Sequence, residues 1–195
     1  MNEAQSTRGT LFLIVGPSGA GKDSVVNGLR ARLGTGGRIS FPRRYITRDK
    51  DAAGEAHDAV SEARFLEMQL AGDFMLHWHS HGLDYGIGMD TQADLDTGRH
   101  VVVNVSRSVV DWARRAFQPV RVLQLHTNEQ ILRKRLVQRA RETADEIERR
   151  VARASDYNVE GSDVVSIDNS GQLDHTISAA AQLILLDAPE LDAEQ

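Results

Sequence analysis

A glycine-rich stretch at positions 16–22, with the sequence GPSGAGK, constrains the fold of this chain more than any other feature. It follows a short apolar run at 10–15 (TLFLIV), whose β-branched side chains predict a buried strand. A predicted helix at 22–33 comes next and ends at the glycines of 34–37. Between a strand and a helix, such glycines let successive backbone N–H groups point at one anion, and the helix N-terminus adds positive charge. The context predicts a phosphate-binding loop made of Gly16, Pro17, Ser18, Gly19, Ala20, Gly21, Lys22, Asp23 and Ser24.

The end of this loop predicts the ligand and its metal. Lys22 is placed to reach the β- and γ-phosphates of a nucleoside triphosphate, unless the glycines form only a turn that starts a helix. Such loops normally continue with a Ser or Thr that ligates Mg²⁺, whereas this chain has Asp23 followed by Ser24. Mg²⁺ prefers hard oxygen ligands, so Asp23 is predicted to bind the ion directly or through a water molecule. The alternative is that Asp23 is an acid favoured by the helix dipole.

The rest of the chain alternates between strand and helix patterns. Further strands are predicted at 38–41, 100–105, 120–126 and 164–167, and further helices at 128–141, 145–157 and 173–186. This alternation predicts an α/β fold with a parallel sheet flanked by helices.

We expect one domain over residues 1–195, with its core at 10–42 and 98–187. Residues 43–90 are rich in His, Asp and Gly and have weak periodicity, so they are predicted to be an inserted segment that binds the acceptor. An arginine-rich region at 135–150 is predicted to be a lid.

The amino-acid composition limits which kinds of ligand and partner this chain is expected to bind. The chain has no cysteine and 41% hydrophobic residues, as expected of a globular protein without disulfides. Its formal net charge of −5 argues against a general nucleic-acid binder. Arginines nevertheless cluster at 43–44, 114–115 and 133–153, which suits small anionic ligands or, alternatively, solvated helix faces. No apolar run is long enough to cross a membrane, and a cytoplasmic protein is expected; the oligomeric state stays open.

Beyond the loop, motifs along nearly the whole chain resemble guanylate kinases. The segment that binds the nucleoside monophosphate in that family resembles Ile46-Thr47-Arg48, Gly54-Glu55, Val60-Ser61 and Phe65, and its Tyr-Gly phosphate contact resembles Tyr85-Gly86. The family's lid and the helix after it resemble Arg135-Leu136-x-x-Arg139 and Ile147-Glu148-Arg149-Arg150. The last strand and its turn resemble Asp163-Val164-Val165 and Asn169.

The departures from that family fall where guanine would be recognised. Guanine N1–H and N2–H₂ are donors that call for a carboxylate, yet the family's Leu-Glu-aromatic stretch reads Leu76-His77-Trp78 here. Ile87 follows the Tyr-Gly pair in place of a hydroxyl residue, and His57-Asp58-Ala59 replaces a Tyr-x-Phe segment. After the strand at 100–105, the family's acidic end becomes Asn-Val-Ser-Arg at 104–107.

Gly-Lys-Asp in the loop together with Asn-Val-Ser-Arg resembles the ribose 1,5-bisphosphate phosphokinases, guanylate-kinase-like enzymes of phosphonate breakdown. This resemblance implies transfer from ATP, with Mg²⁺, to α-D-ribose 1,5-bisphosphate, which gives 5-phosphoribosyl 1-diphosphate and ADP. One alternative is a guanylate or other nucleoside monophosphate kinase. Another is a non-catalytic guanylate-kinase-like binding module, although such modules commonly lose the phosphate loop that this chain keeps.

The resemblance also implies roles for individual residues. Phosphoryl transfer requires charge neutralisation, for which the predicted groups are Lys22, Arg135, Arg139 and Arg150. The alternative for these lid arginines is pairing with Glu142, Asp145 or Glu146. Arg48 and Tyr85 are predicted to contact the acceptor phosphate, unless they are a surface arginine and a core tyrosine. The second phosphate of a bisphosphate is predicted to meet Arg44, Arg107 and His77.

Three alternating histidines at 77, 79 and 81 would share one face of a strand, with Trp78 on the opposite face toward the core. This pattern permits three interpretations: a lining of the phosphosugar pocket, a polar surface, or a zinc site. No carboxylate or thiolate partner in the sequence supports the zinc site.

Overall fold

The computed structural model describes residues 8–48, 57–139, 143–155 and 158–187, apart from the side chains of Arg139 and Ser155. Its strands are β1 (Leu11–Val15), β2 (Ile39–Ser40), β3 (Arg44–Ile46), β4 (Asp58–Ala59), β5 (Phe74–Ser80), β6 (Leu83–Gly88), β7 (His100–Asn104), β8 (Val120–His126) and β9 (Val164–Asp168). Its α-helices are α1 (Lys22–Leu33), α2 (Glu62–Ala71), α3 (Asp90–Asp96), α4 (Val110–Ala116), α5 (Glu129–Arg139), α6 (Ala144–Ser155) and α7 (Leu173–Leu186).

A five-stranded parallel sheet in the order β2-β7-β1-β8-β9 forms the centre of the fold. Every residue of β1 is buried, because helices cover both faces of the sheet. Alternate residues of β1 belong to different cores: Leu11 and Leu13 pack on one side, and Phe12 and Ile14 on the other. The predicted α/β fold with a flanked parallel sheet is confirmed.

A second sheet of four strands, in the order β4-β3-β6-β5, is built by the segment predicted to be an insert. β6 pairs antiparallel with both β3 and β5, and α2 packs against this sheet through Phe65 and Met68. The Ser61 hydroxyl caps the start of α2 by accepting a hydrogen bond from the backbone N–H of Arg64. The sequence did not predict this sheet. Gly54 and Glu55, which carry part of the family resemblance, lie outside the described residues.

The two arginine-rich helices occur where they were predicted, at α5 and α6. Residues 140–142 and 156–157 of the predicted ranges lie outside the described residues. Leu132 and Leu136 of α5 pack against Ile147 and Val151 of α6, so the pair has a small apolar core of its own. Among the helices that the structure describes, none has the length and apolar character of a membrane span.

Close packing of α1 against α7 generates a prediction about stability. A Cβ atom at Gly28 would lie 2.1 Å from Cδ1 of Ile177 and 2.7 Å from its Cγ1. Gly28→Ala should therefore lower the free energy of unfolding by about 1–3 kcal/mol through overpacking. Denaturant unfolding measures this change. Because Ile177→Ala removes the crowded atoms, it should lower the free energy of unfolding less in the Gly28→Ala background than in the unaltered chain.

Gly36→Ala is the matched control, since no atom lies within 4 Å of a Cβ built there. A rise in stability on Gly28→Ala, as alanine gives in an uncrowded helix, would contradict the close approach of the two helices.

Candidate active site

A cleft of about 1050 Å³ opens beside the C-terminal end of β1, between the parallel sheet, the second sheet and the α5–α6 pair. Ligands of open parallel sheets bind at this edge because the loops after the strands converge there. The lining residues include Gly16, Lys22, Asp23, Arg44, Arg48, Trp78, Tyr85, Arg107, Arg135, Arg150 and Asn169. Among the predicted site residues whose side chains the structure describes, all except Ala20 and His77 line the cleft.

The phosphate loop joins β1 to α1 in a conformation that needs glycine. Gly19 and Gly21 have φ values of 87° and 90°, in the left-handed region. A Cβ atom at Gly21 would also lie 2.6 Å from Nδ2 of Asn169. Asn169 follows β9 and donates from this Nδ2 to the carbonyl oxygen of Ala20 at 2.6 Å. The loop is therefore held in place by a residue that follows β9, the edge strand of the sheet.

Three cations from three helices surround this loop. Lys22 Nζ donates to the carbonyl oxygens of Gly16 and Pro17 at 2.9 and 3.1 Å. Arg135 of α5 donates to the Asn169 carbonyl at 2.9 Å, and Arg150 of α6 donates to the Ser18 hydroxyl at 2.7 Å. Phosphate oxygens are stronger acceptors than these neutral groups, so an anionic ligand would draw the three side chains onto itself.

The apolar core of α5 and α6 determines where these arginines point. Leu132 and Leu136 face the loop, and a Cβ atom at Gly19 would lie 2.9 Å from Leu132 Cδ1. Outer-face charges are paired instead: Arg133 binds Glu148 at 2.8 Å. The backbone N–H and hydroxyl of Thr143 hydrogen-bond Glu146 and lower the pKa of its carboxyl group.

Among the described residues, Arg135 thus contacts carbonyl groups near the phosphate loop rather than Asp145 or Glu146, two of the alternative partners; the third, Glu142, lies outside the described residues. Arg139 lies on the same helix, but its side chain is outside the described part of the chain.

Asp23 lies in the first turn of α1, where it contacts the second sheet. Its Oδ1 accepts one hydrogen bond from Nη2 of Arg44 at 3.2 Å and another from the side-chain amide of Asn104. The Asp23 side chain remains 46% exposed toward the cleft, and the neighbouring Ser24 also lines it.

These oxygens fit Mg²⁺ as an ion that arrives with its nucleotide. Mg²⁺ usually keeps several waters and takes one or two protein carboxylates together with substrate phosphates. Asp23, with the hydroxyl of Ser24, would supply the protein share. Within the described ranges no group of three or more His, Cys, Asp or Glu side chains could hold a metal alone.

The second sheet faces the loop with an aromatic and cationic wall. Trp78 and Tyr85 stack across β5 and β6 with ring centroids 5.3 Å apart, and the Arg44 guanidinium lies 5.4 Å from the Tyr85 ring centroid. Arg48 contacts the ring of His57 at 3.4 Å. The Nε of Arg48 is buried and has no hydrogen-bond partner in the described part of the chain. Such a donor is expected to meet an anionic ligand.

The prediction that His77 binds the substrate needs correction. Alternation along β5 places Trp78 and Ser80 toward the cleft and His77 on the opposite face, with its ring 6.0 Å from that of Trp112. His79 pairs with Asp84 at the exposed surface, at 2.8 Å.

β5 ends at Ser80, and His81 lies in the following turn with a positive φ of 53°. The three histidines therefore do not share one strand face, and only His81 lines the cleft. Ile87, which replaces the family's hydroxyl residue, is fully buried in the core.

Sequence reasoning missed the roles of two residues at the site. Trp78 was assigned to the core, yet it also lines the cleft. Asn104 was noted only as a departure from the guanylate kinase pattern, and its contact with Asp23 was not expected. The position of Asn104 at the end of a predicted parallel strand was the available clue.

Comparison with known proteins agrees with this geometry. The guanylate kinase family model matches residues 8–185. A ribose 1,5-bisphosphate phosphokinase (PhnN) of Desulfomicrobium baculatum is 44% identical over 175 residues, which cover 90% of this chain and 94% of that protein. A bifunctional ribose 1,5-bisphosphokinase-thymidine phosphorylase of Cupriavidus pinatubonensis is 42% identical over 166 residues, 85% of this chain but only 27% of that longer protein.

Among solved structures, the guanylate kinase of Anaplasma phagocytophilum superposes with a TM-score of 0.69 at 15% sequence identity, covering 93% of this chain and 87% of that one. At this identity the likeness concerns the fold alone. Fold and cleft define the class of the protein: a P-loop phosphotransferase. More particularly, the chain belongs to the guanylate kinase family, and its relatives include ribose 1,5-bisphosphate phosphokinases.

The contacts of the α5–α6 pair generate a prediction about catalysis. Arg150→Ala should lower kcat by roughly 100-fold and change the KM values little, because its charge is needed most as negative charge spreads over the transferred group. Steady-state kinetics measures both. Arg133→Ala, which removes an exposed arginine from the outer face, is the matched control and should leave kcat unchanged. A rise in KM alone would show that Arg150 only binds the ground state.

Proposed function

We propose that this chain transfers the γ-phosphoryl group of ATP to the 1-phosphate of α-D-ribose 1,5-bisphosphate and so forms 5-phosphoribosyl 1-diphosphate and ADP. The observation that carries the proposal is the charge of the cleft. Its described lining holds six side chains of Lys or Arg and one carboxylate, Asp23; the six are Lys22, Arg44, Arg48, Arg107, Arg135 and Arg150. Such a surplus of cations suits two substrates that are both rich in phosphate.

The residues divide between the two substrates. Backbone N–H groups of the phosphate loop and Lys22 would hold the β- and γ-phosphates of ATP, which lie at the positive end of α1. Across the cleft, Arg48 and Tyr85 would bind the reacting phosphate of the acceptor, while Arg44 and Arg107 would meet its second phosphate. Residues 43–90 would thus serve as the acceptor-binding segment.

In the transfer itself, an oxygen of the 1-phosphate attacks the γ-phosphorus of ATP as the bond to the bridging β–γ oxygen breaks. A P–O–P link forms on the acceptor, and ADP leaves with the electron pair of the broken bond. The attacking oxygen is already anionic near neutral pH, so no general base is required. Lys22 and the lid arginines, Arg135, Arg139 and Arg150, neutralise charge on the moving group.

Asp23 and Ser24 would hold Mg²⁺, and the ion would supply positive charge that offsets part of the charge of the nucleotide phosphates. ATP and a phosphosugar as substrates agree with a role in phosphonate breakdown in the cytoplasm.

The cleft is poorly suited to guanine, whose N1–H and N2–H₂ donors require acceptors. Asp23, the one carboxylate in the described lining, already accepts hydrogen bonds from Arg44 and Asn104. Leaving two guanine donors unpaired costs roughly 1–3 kcal/mol each, on the order of a hundredfold or more in affinity. The argument against guanine therefore rests on the cleft lining and not on His77, which faces away from the cleft.

Parallel steady-state kinetics with ATP and each acceptor tests the assignment. We expect kcat/KM for ribose 1,5-bisphosphate to exceed that for GMP by roughly 100-fold or more, for the reason just given. Phosphorus NMR should identify the product as a diphosphate on the anomeric carbon. An equal or higher kcat/KM for GMP would establish a nucleoside monophosphate kinase instead.

Lys22→Ala is expected to lower turnover by roughly 1,000-fold while leaving the fold intact, since Lys22 neutralises phosphate charge and is not part of the core. Coupled ADP release measures turnover, and circular dichroism verifies the fold. Near-normal activity of Lys22→Ala would contradict the assignment of residues 16–24 as the phosphate-binding loop. A chain that binds no ATP and releases no ADP would be a non-catalytic binding module.

A further inference from the structure

Two departures from the family pattern, far apart in the sequence, meet in the structure. Asp23 stands where phosphate loops carry Ser or Thr, and Asn104 stands where the family has an acidic strand end. The Asn104 side-chain amide donates a hydrogen bond to Oδ1 of Asp23, across 81 positions of sequence. Because the two unusual residues contact each other, we treat them as one structural unit.

The third member of this unit is Arg44, at the start of β3. Its Nη2 donates to Asp23 Oδ1 at 3.2 Å, and its Nη1 is 3.4 Å from the backbone carbonyl oxygen of Asn104. Its guanidinium also lies over the ring of Tyr85. One cation from the second sheet is therefore bound to both the phosphate loop helix and the end of β7.

Burial makes these contacts necessary. The Arg44 side chain is only 11% exposed, and a charge so far removed from water requires a charged partner and well-aligned hydrogen bonds. A Ser or Thr at position 23 would offer a shorter side chain without charge. The carboxylate of Asp23 satisfies the guanidinium, and the Asn104 amide holds that carboxylate in place.

We propose that Asp23 and Asn104 are positioning residues that hold Arg44 against Tyr85 as a contact for a phosphate of the acceptor. The proposal rests on the function proposed above for the choice of acceptor. Asp23 is adjacent to Lys22, so the unit also connects the site of the donor phosphates to the sheet that binds the acceptor. Asp23 then has a role in acceptor binding that is separate from the metal.

Acceptor binding without metal or ATP separates the two roles. Calorimetric titration of ribose 1,5-bisphosphate in EDTA should show that Asp23→Ala raises the Kd roughly tenfold, since a charged hydrogen bond to Arg44 is lost. Asp23→Ser should raise the Kd equally, although its hydroxyl still suits Mg²⁺. Asn104→Ala should weaken binding in the same direction.

A double-mutant cycle then tests whether Asp23 acts through Arg44. In the Arg44→Ala background, Asp23→Ala should change the Kd less than about twofold, because the residue that it positions is absent. Arg64→Ala, which removes an exposed arginine of α2, is the matched control and should bind like the unaltered chain. Circular dichroism checks that each variant is folded, and Arg44→Lys replaces Arg44→Ala in the cycle if the latter is not.

Additive effects in the cycle, or an unchanged Kd for Asp23→Ala in EDTA, would overturn the positioning role. GMP is titrated in parallel, and the Kd values of the cycle are measured with whichever of the two acceptors the unaltered chain binds. If the unaltered chain binds GMP but not ribose 1,5-bisphosphate, the proposed function fails while the cycle still decides the role of Asp23.

Discussion

The carbonyl oxygen of Ala20 accepts hydrogen bonds from the Asn169 amide at 2.6 Å and from Arg135 at 3.5 Å, and the geometry of the cleft depends on these contacts. They connect the phosphate loop to the end of β9 and to α5. Asn169 is itself held by the Thr176 hydroxyl at 2.8 Å. Because Asn169 is 1% exposed, its amide would be costly to leave unpaired, so the loop has one strongly preferred position.

Charge is distributed so that this loop retains its attraction for anions. Arginines elsewhere are neutralised locally: Arg114 binds Asp163 at 2.8 Å, which raises the pKa of its guanidinium, and Arg133 binds Glu148. In the described lining of the cleft, by contrast, six side chains of Lys or Arg stand against one carboxylate, Asp23. A chain with a net charge of −5 can therefore present a concentrated positive site to polyphosphates.

The sequence predicts the parallel sheet well because its central strands are buried on both faces and contain short apolar runs, as β1 and β7 do. The second sheet was missed because β3 and β4 have three and two residues, too few to establish a period. His77 was misplaced for a related reason: alternation predicts which residues share a face of β5, but not which face borders the cleft. The Asp23–Asn104 contact depends on strand order, which local pattern does not contain.

The chain shares its fold with a guanylate kinase at only 15% sequence identity, so the fold by itself does not select the acceptor. Selection must come from side chains on the cleft wall. There, Arg44 brings a buried positive charge, and Asp23 uses its carboxylate to stabilise that charge. For the proposed acceptor, a guanidinium held in the cleft favours an anionic phosphate over a guanine edge that presents N–H donors, because the cation attracts the first and repels the second.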